Sequence, residues 1–186
     1  MVKKSSVPGR SSAECKEMLK RKPAGPCFTP HISGADIMST RINLHFIEAI
    51  LSELSDDEEY LLTRLMGWVV FKTARGWSIP MDAIIDTGAH TSILPKSIWK
   101  VIRTKKTGSF DIQGISSKKE CRVPCGVGQI TAQFIDELGN TSKELKITAF
   151  LALTDEVPLI IGFKDILSEF KACFNQKKDI AFLEEI

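Results

Sequence analysis

Hydrophobic and polar positions change their rhythm twice along this chain. Residues 1–35 are rich in Ser, Pro, Gly and Lys, and Pro8, Pro23, Pro26 and Pro30 interrupt any long element. They predict a flexible tail with at most a short helix over Ala13–Arg21. Residues 36–66 read as a helical extension. Ile42–Leu51 carries apolar residues at both alternating and helical spacings, and the stripe through Ala49, Ile50, Leu51 and Leu54 favours a helix. Ser55 followed by Glu58 is a capping-box pattern, and Tyr60–Met66 then predicts a short amphipathic helix stopped by Gly67.

From residue 67 to 186 the pattern is that of strands. Trp68–Lys72 and Ser78–Ile85 flank Thr73-Ala74-Arg75-Gly76 as a hairpin, and Pro95–Trp99 with Val101-Ile102 makes a short connecting turn. Ser109–Val123 and Gly128–Asp136 alternate apolar and polar residues as a second strand pair. A long strand, Glu144–Leu153, follows the Gly139-Asn140 turn. The last elements are the apolar Val157–Gly162, a helical run Asp165–Phe170 and a closing strand Asp179–Leu183. The fold class is all-β with one or two short helices, built as a small closed antiparallel barrel.

Composition sets limits without naming a function. The 186 residues are 43% hydrophobic and 26% charged, with a net charge of +2, so nothing global asks for nucleic acid or an anionic membrane. The first segment is nevertheless basic (Lys3, Lys4, Arg10, Lys16, Lys20, Arg21, Lys22), and Asp56–Glu59 is acidic. Five cysteines at irregular spacing, with no apolar leader after the basic start, predict free thiols in a reducing, cytoplasmic setting. Cys121 and Cys125 lack a second Cys or His pair, so no metal site is expected. No apolar run approaches a membrane span.

The chemistry concentrates at Asp86-Thr87-Gly88-Ala89, which ends the apolar strand Met81–Ile85 and precedes His90-Thr91-Ser92-Ile93-Leu94-Pro95. A carboxylate at the end of a buried strand, followed by a hydroxyl and a residue without Cβ, is a way to hold an acid–base group at the rim of a core. The stretch Ala83–Pro95 resembles the active-site segment of retropepsin-like aspartic proteases. The order of later pieces strengthens the resemblance, which covers about residues 67–186. Ile112-Gln113-Gly114-Ile115-Ser116-Ser117 falls where that family has its flap tip. Leu159-Ile160-Ile161-Gly162 looks like the family's second apolar strand before a short helix.

The resemblance implies a catalytic role for Asp86, support of its loop by Thr87, Gly88 and Ala89, and backbone clearance at Ile161-Gly162. It implies a flap of Ile112, Gln113, Gly114, Ile115 and Ser116 closing over an extended peptide or protein substrate. Hydrolysis of this kind needs two carboxylates sharing one proton, and this chain has one Asp-Thr-Gly. A homodimer with one Asp86 from each subunit is therefore implied, with Ile180–Leu183 in the interface and no cofactor. Retroviral members carry an Asp and an Arg, as an ion pair, where this chain has His90 and Phe163; both partners are replaced together, so no lone charge is left.

Bland roles suit the remaining candidates: His90 as a pocket-wall or surface residue, and Trp68, Trp77 and Trp99 as core or interface aromatics, with no basic stripe beside them to suggest nucleic acid. Two other readings stay open from sequence. One is a catalytically silent dimerisation or peptide-binding module of the same fold. The other is an adaptor whose basic N-terminal segment is the active part.

Overall fold

The computed structural model describes residues 40–51, 60–113, 122–166 and 168–186. The chain divides into two units. Residues 1–30 and 48–62 form one, of which 48–51 and 60–62 are described and are strand. Residues 31–47 and 63–186 form the other, which holds the barrel and the candidate site.

The strands are β1 (Arg41–Asn43), β2 (His45–Leu51), β3 (Tyr60–Thr73), β4 (Gly76–Trp77), β5 (Met81–Asp86), β6 (Ser92–Leu94), β7 (Thr104–Gln113), β8 (Arg122–Ile135), β9 (Leu145–Ala152), β10 (Ile160–Gly162), β11 (Phe170–Asn175) and β12 (Ile180–Glu185); among the described residues the one α-helix is α1 (Lys96–Trp99). The larger sheet runs β2-β3-β5-β10-β6-β9-β8-β7, and β3 also pairs with β8. That second pairing closes a ring. Met66–Val69 of β3 lie against Ile84–Met81 of β5, while Trp68–Phe71 lie against Ile135–Ala132 of β8. One strand serving two neighbours bends the sheet onto itself, which removes edges from the ring and encloses a core. Residues at period two fill it: Val69, Phe71, Ala83, Ile85, Leu94, Ile130, Ala132, Phe134, Ile147, Leu151 and Ile161 are all buried. The all-β barrel expected from the strand pattern is the observed architecture, although two of its pairings, β5–β10 and β6–β9, are parallel.

Several expected elements are corrected. Ile42–Leu51 and Tyr60–Met66 are strands, not helices. Ile42, Leu44 and Phe46 also fit a period of two, and pairing decided between the two periods: Ile42 is fully buried opposite Leu183, and Met66 lies opposite Ile84. Residue 67 lies inside β3, which runs without a break from Tyr60 to Thr73. The helix expected over Asp165–Phe170 is a set of turns among the described residues, and Phe170 already begins β11. Asp165 has φ 65°, a left-handed value that breaks a helical path, and its carboxylate accepts the Thr148 N–H at 2.8 Å. In the second hairpin β8 runs unbroken through Pro124–Val127, and Gln113 pairs with Arg122; residues 114–121 lie outside the described residues. The tail 1–35 also lies outside them.

The chain's last strand joins a separate sheet ordered β1-β12-β11. β12 is its centre: Ile42 opposes Leu183 on one side, and Ala172 opposes Leu183 on the other. Phe170 tucks edge-on against Phe134 with ring centroids 5.8 Å apart, which fixes this sheet to the barrel core.

Candidate active site

Asp86 is the last residue of β5, half-buried, where the strand leaves the barrel. Its carboxylate Oδ1 accepts the Gly88 N–H at 2.8 Å, and its carbonyl accepts the Ala89 N–H at 3.2 Å. These bonds curl Asp86–Ala89 into a tight turn that holds the carboxylate at the strand end. Thr87 and Gly88 are exposed.

β10 holds the turn from beside it. Gly162 lies in parallel register with Asp86. A Cβ on Gly162 would stand 2.6 Å from the Ala89 carbonyl oxygen and 2.8 Å from the Thr91 carbonyl carbon, both backbone atoms. Only glycine permits this approach. Three hydrogen bonds exploit it: Phe163 N–H to Ala89 O at 2.9 Å, Lys164 N–H to His90 O at 3.0 Å, and Gly162 N–H to Ser92 Oγ at 3.1 Å. Ile161 is buried beneath, beside Ile85.

The face of the sheet turned away from the core is also apolar. Met66, Ile84, Ile160, Ile93, Phe150 and Val127 are each the cross-strand neighbour of the next, and each is half-buried. Side chains alternate along a strand, so Ile84 and Asp86 point to the same side of β5. These six strands are those of the closed ring, so the apolar row curves round its outer face, with Ile84 and Ile160 next to the carboxylate. At its far end Phe110 of β7, 54% exposed, stacks on Phe150 with centroids 5.3 Å apart and planes 12° apart.

The structure brings Asp86, Thr87, Gly88, Ala89, Ile161 and Gly162 together as one unit. Ile112 and Gln113 end β7, the strand that rises towards the expected flap tip; Gly114, Ile115 and Ser116 lie outside the described residues. His90 is exposed and meets Phe163 edge-on, centroids 5.3 Å apart at 86°, so an aromatic contact stands at the two positions where the resemblance put an ion pair. Its Nδ1 lies 2.9 Å from Thr91 Oγ1. Sequence reasoning passed over Ser92, which is fully buried and is the acceptor that ties β6 to β10. Its signal was a lone hydroxyl at an inward position ahead of Ile93-Leu94. The Phe110–Phe150 pair left no signal, because 40 residues separate its members. Among the described residues no three His, Cys, Asp or Glu side chains gather to hold a metal.

Chemically the arrangement offers one fixed carboxylate at the edge of an apolar shelf. A single carboxylate has no partner with which to share a proton, so chemistry by a carboxylate pair would require a second acid.

Two solved structures are similar to this one. The EIAV protease complexed with the inhibitor HBY-793 is 19% identical, with a TM-score of 0.37, over 56% of this chain and 86% of that one. The retropepsin-like aspartic protease from Rickettsia conorii is 15% identical, with a TM-score of 0.37, over 76% of this chain and 93% of that one. No protein-family model and no curated protein matches the sequence.

Proposed function

We propose that the chain is a retropepsin-like aspartic endopeptidase, active as a homodimer in which each subunit contributes Asp86. The observation that carries this reading is the clasp of the Asp86 turn by Gly162 in parallel register, a backbone arrangement that fixes one carboxylate where a twofold axis can set another beside it. Two carboxylates within a few ångströms share one proton, since both cannot ionise together. The ionised one then takes a proton from water, and the protonated one donates to the scissile carbonyl. The water oxygen adds to the carbonyl carbon, and the proton passes to the leaving nitrogen as the C–N bond breaks. The row from Ile84 to Phe150 supports an extended peptide with apolar side chains as substrate, and β7–β8 supports closure over it.

The dimer would meet at the three-stranded sheet, whose Ala172 and Leu183 lie close to Asp86 and Thr87. Both backbone edges of β12, which contains Ile180–Leu183, are paired within the chain, so among the described residues the outer edges of this sheet are those of β1 and β11.

The test is cleavage of an unfolded-peptide mixture across roughly pH 4–7, the range in which a carboxylate pair holds one proton. Cleavage by the wild type and its loss, by about 1,000-fold or more, in Asp86→Asn is the expected result. No cleavage by folded, dimeric wild type would leave a silent peptide-binding module.

A further inference from the structure

The outer face of β7, β8 and β9 carries a second feature, which begins two residues along β8 from Val127 at the end of the apolar row. Where β7 begins, an open groove of about 300 Å³ is lined by Arg103, Lys105, Gln129, Thr131 and Lys146, with Thr104 and Ile130 beneath. Lys105 is the cross-strand neighbour of Gln129, and Thr131 of Lys146. Gln129 and Thr131 of the middle strand thus form a polar floor. Arg103 and Lys105 stand on one side and Lys146 on the other, two strand spacings or about 10 Å across.

We propose that this groove binds a small anion bearing at least two phosphate groups. Among the described residues three cations line it and no acid does. Two carboxylates on adjoining segments are engaged elsewhere: Glu144 with Lys72 at 3.2 Å, and Asp165 with the Thr148 N–H. An arginine fork pairs bidentately with one phosphate, a lysine ammonium on the opposite wall takes the second as a point charge, and the carboxamide and hydroxyl of the floor donate to oxygens between them. The volume is that of a small-ligand site rather than a macromolecular channel. Nucleic acid is disfavoured because the lining of the groove includes no ring for stacking. Trp99 is buried, and Lys106 lies over it with Nζ 4.4 Å from the ring centroid. The proposal stands whether or not Asp86 is catalytic.

The experiment is calorimetric titration of the full chain with inorganic tripolyphosphate, against the Lys105→Ala/Lys146→Ala double variant. Both lysines are exposed, so melting curves of the two proteins should coincide. Saturable one-site binding that weakens about tenfold or more in the variant, and steeply with salt, is expected. Arg103→Lys, which keeps the charge and loses the fork, should weaken it as well. Pelleting with vesicles that carry a bisphosphorylated headgroup, reversed by tripolyphosphate, assigns the anion to a lipid; binding without pelleting assigns it to a soluble molecule. Absence of saturable heat, affinity unchanged in the variant, or tighter binding of a single-stranded oligonucleotide or a Glu-rich peptide would overturn the proposal.

Discussion

Gly162 and Ser92 carry more of the site than their size suggests. A methyl group at Gly162 would fall 2.6 Å from one backbone atom and 2.8 Å from another, and neither can rotate away as a side chain could. Gly162→Ala should therefore cost about 3 kcal/mol or more, in the range of severe overpacking. Urea unfolding would measure it, and an unchanged midpoint would refute the clasp. Ser92→Ala removes the acceptor of a buried N–H without changing volume much. It should cost about 1–3 kcal/mol, the penalty for an unpaired buried donor. Activity should fall in both variants with the fraction folded, whereas Asp86→Asn should lose activity while melting like the wild type. Asp-Thr-Gly and Ile-Ile-Gly were legible as separate words in the sequence. That Gly162 packs on Ala89 and Thr91 was not, because the two segments are some 70 residues apart and local periodicity carries no register between them.

At the scale of elements, α1 depends on the loop that follows β9. The Asp155 carboxylate accepts the Ser97 N–H at 2.6 Å in the helix's first turn, and Lys96 N–H reaches Thr154 O at 3.1 Å. That hydrogen bond from Ser97, before the nearby Lys96 and Lys100 charges, holds the Asp155 carboxyl below its ordinary range. A folded-state value below the unfolded one means that the stabilisation is complete above the ordinary aspartate pKa of about 3.9 and is lost as pH falls through the folded value. Asp155→Asn should melt slightly below the wild type at pH 7, and the gap should close in acid below about pH 4. A gap that persists there would assign the effect to packing. The hairpin from Trp68, the long strand at Glu144–Leu153 and the closing strand were legible because β-branched and aromatic residues alternate there, whereas β6, β11 and the bounds of β7 and β8 were not. β1, β2 and the start of β3 were misread because Ile42–Leu51 satisfies both periods, and the partners that chose between them, among them Leu183 and Ile84, lie far along the chain.

For the whole molecule, the proposed mechanism turns on a second acid beside Asp86. If two Asp86 carboxylates meet across a twofold axis, activity depends on the square of protomer concentration below the dimer constant. Specific activity should fall on dilution, in step with the dimer fraction seen by sedimentation. The exposed ends of β11 and β12, Phe174 (55%) and Ile180 (45%), are the places to disturb it. Phe174→Lys should shift the dimer–monomer balance towards monomer and leave the barrel's melting unchanged. Activity that is independent of concentration in a monomeric protein would exclude the shared-proton mechanism.

What the sequence determined by itself was local: strands where apolar residues alternate, a turn where Asp86-Thr87-Gly88 ends one of them, and a second apolar strand stopping at Gly162. Those features follow from the steric preferences and burial of neighbouring residues. The tertiary structure decided the rest. It set β5 and β10 side by side, closed the ring through β3 and β8, placed β12 between β1 and β11, lined Ile84, Ile160, Ile93 and Phe150 along one face, and gathered Arg103, Lys105 and Lys146 around one groove. Each is a pairing across dozens of residues, selected by the burial of the whole core rather than by any segment, and no single segment contains it.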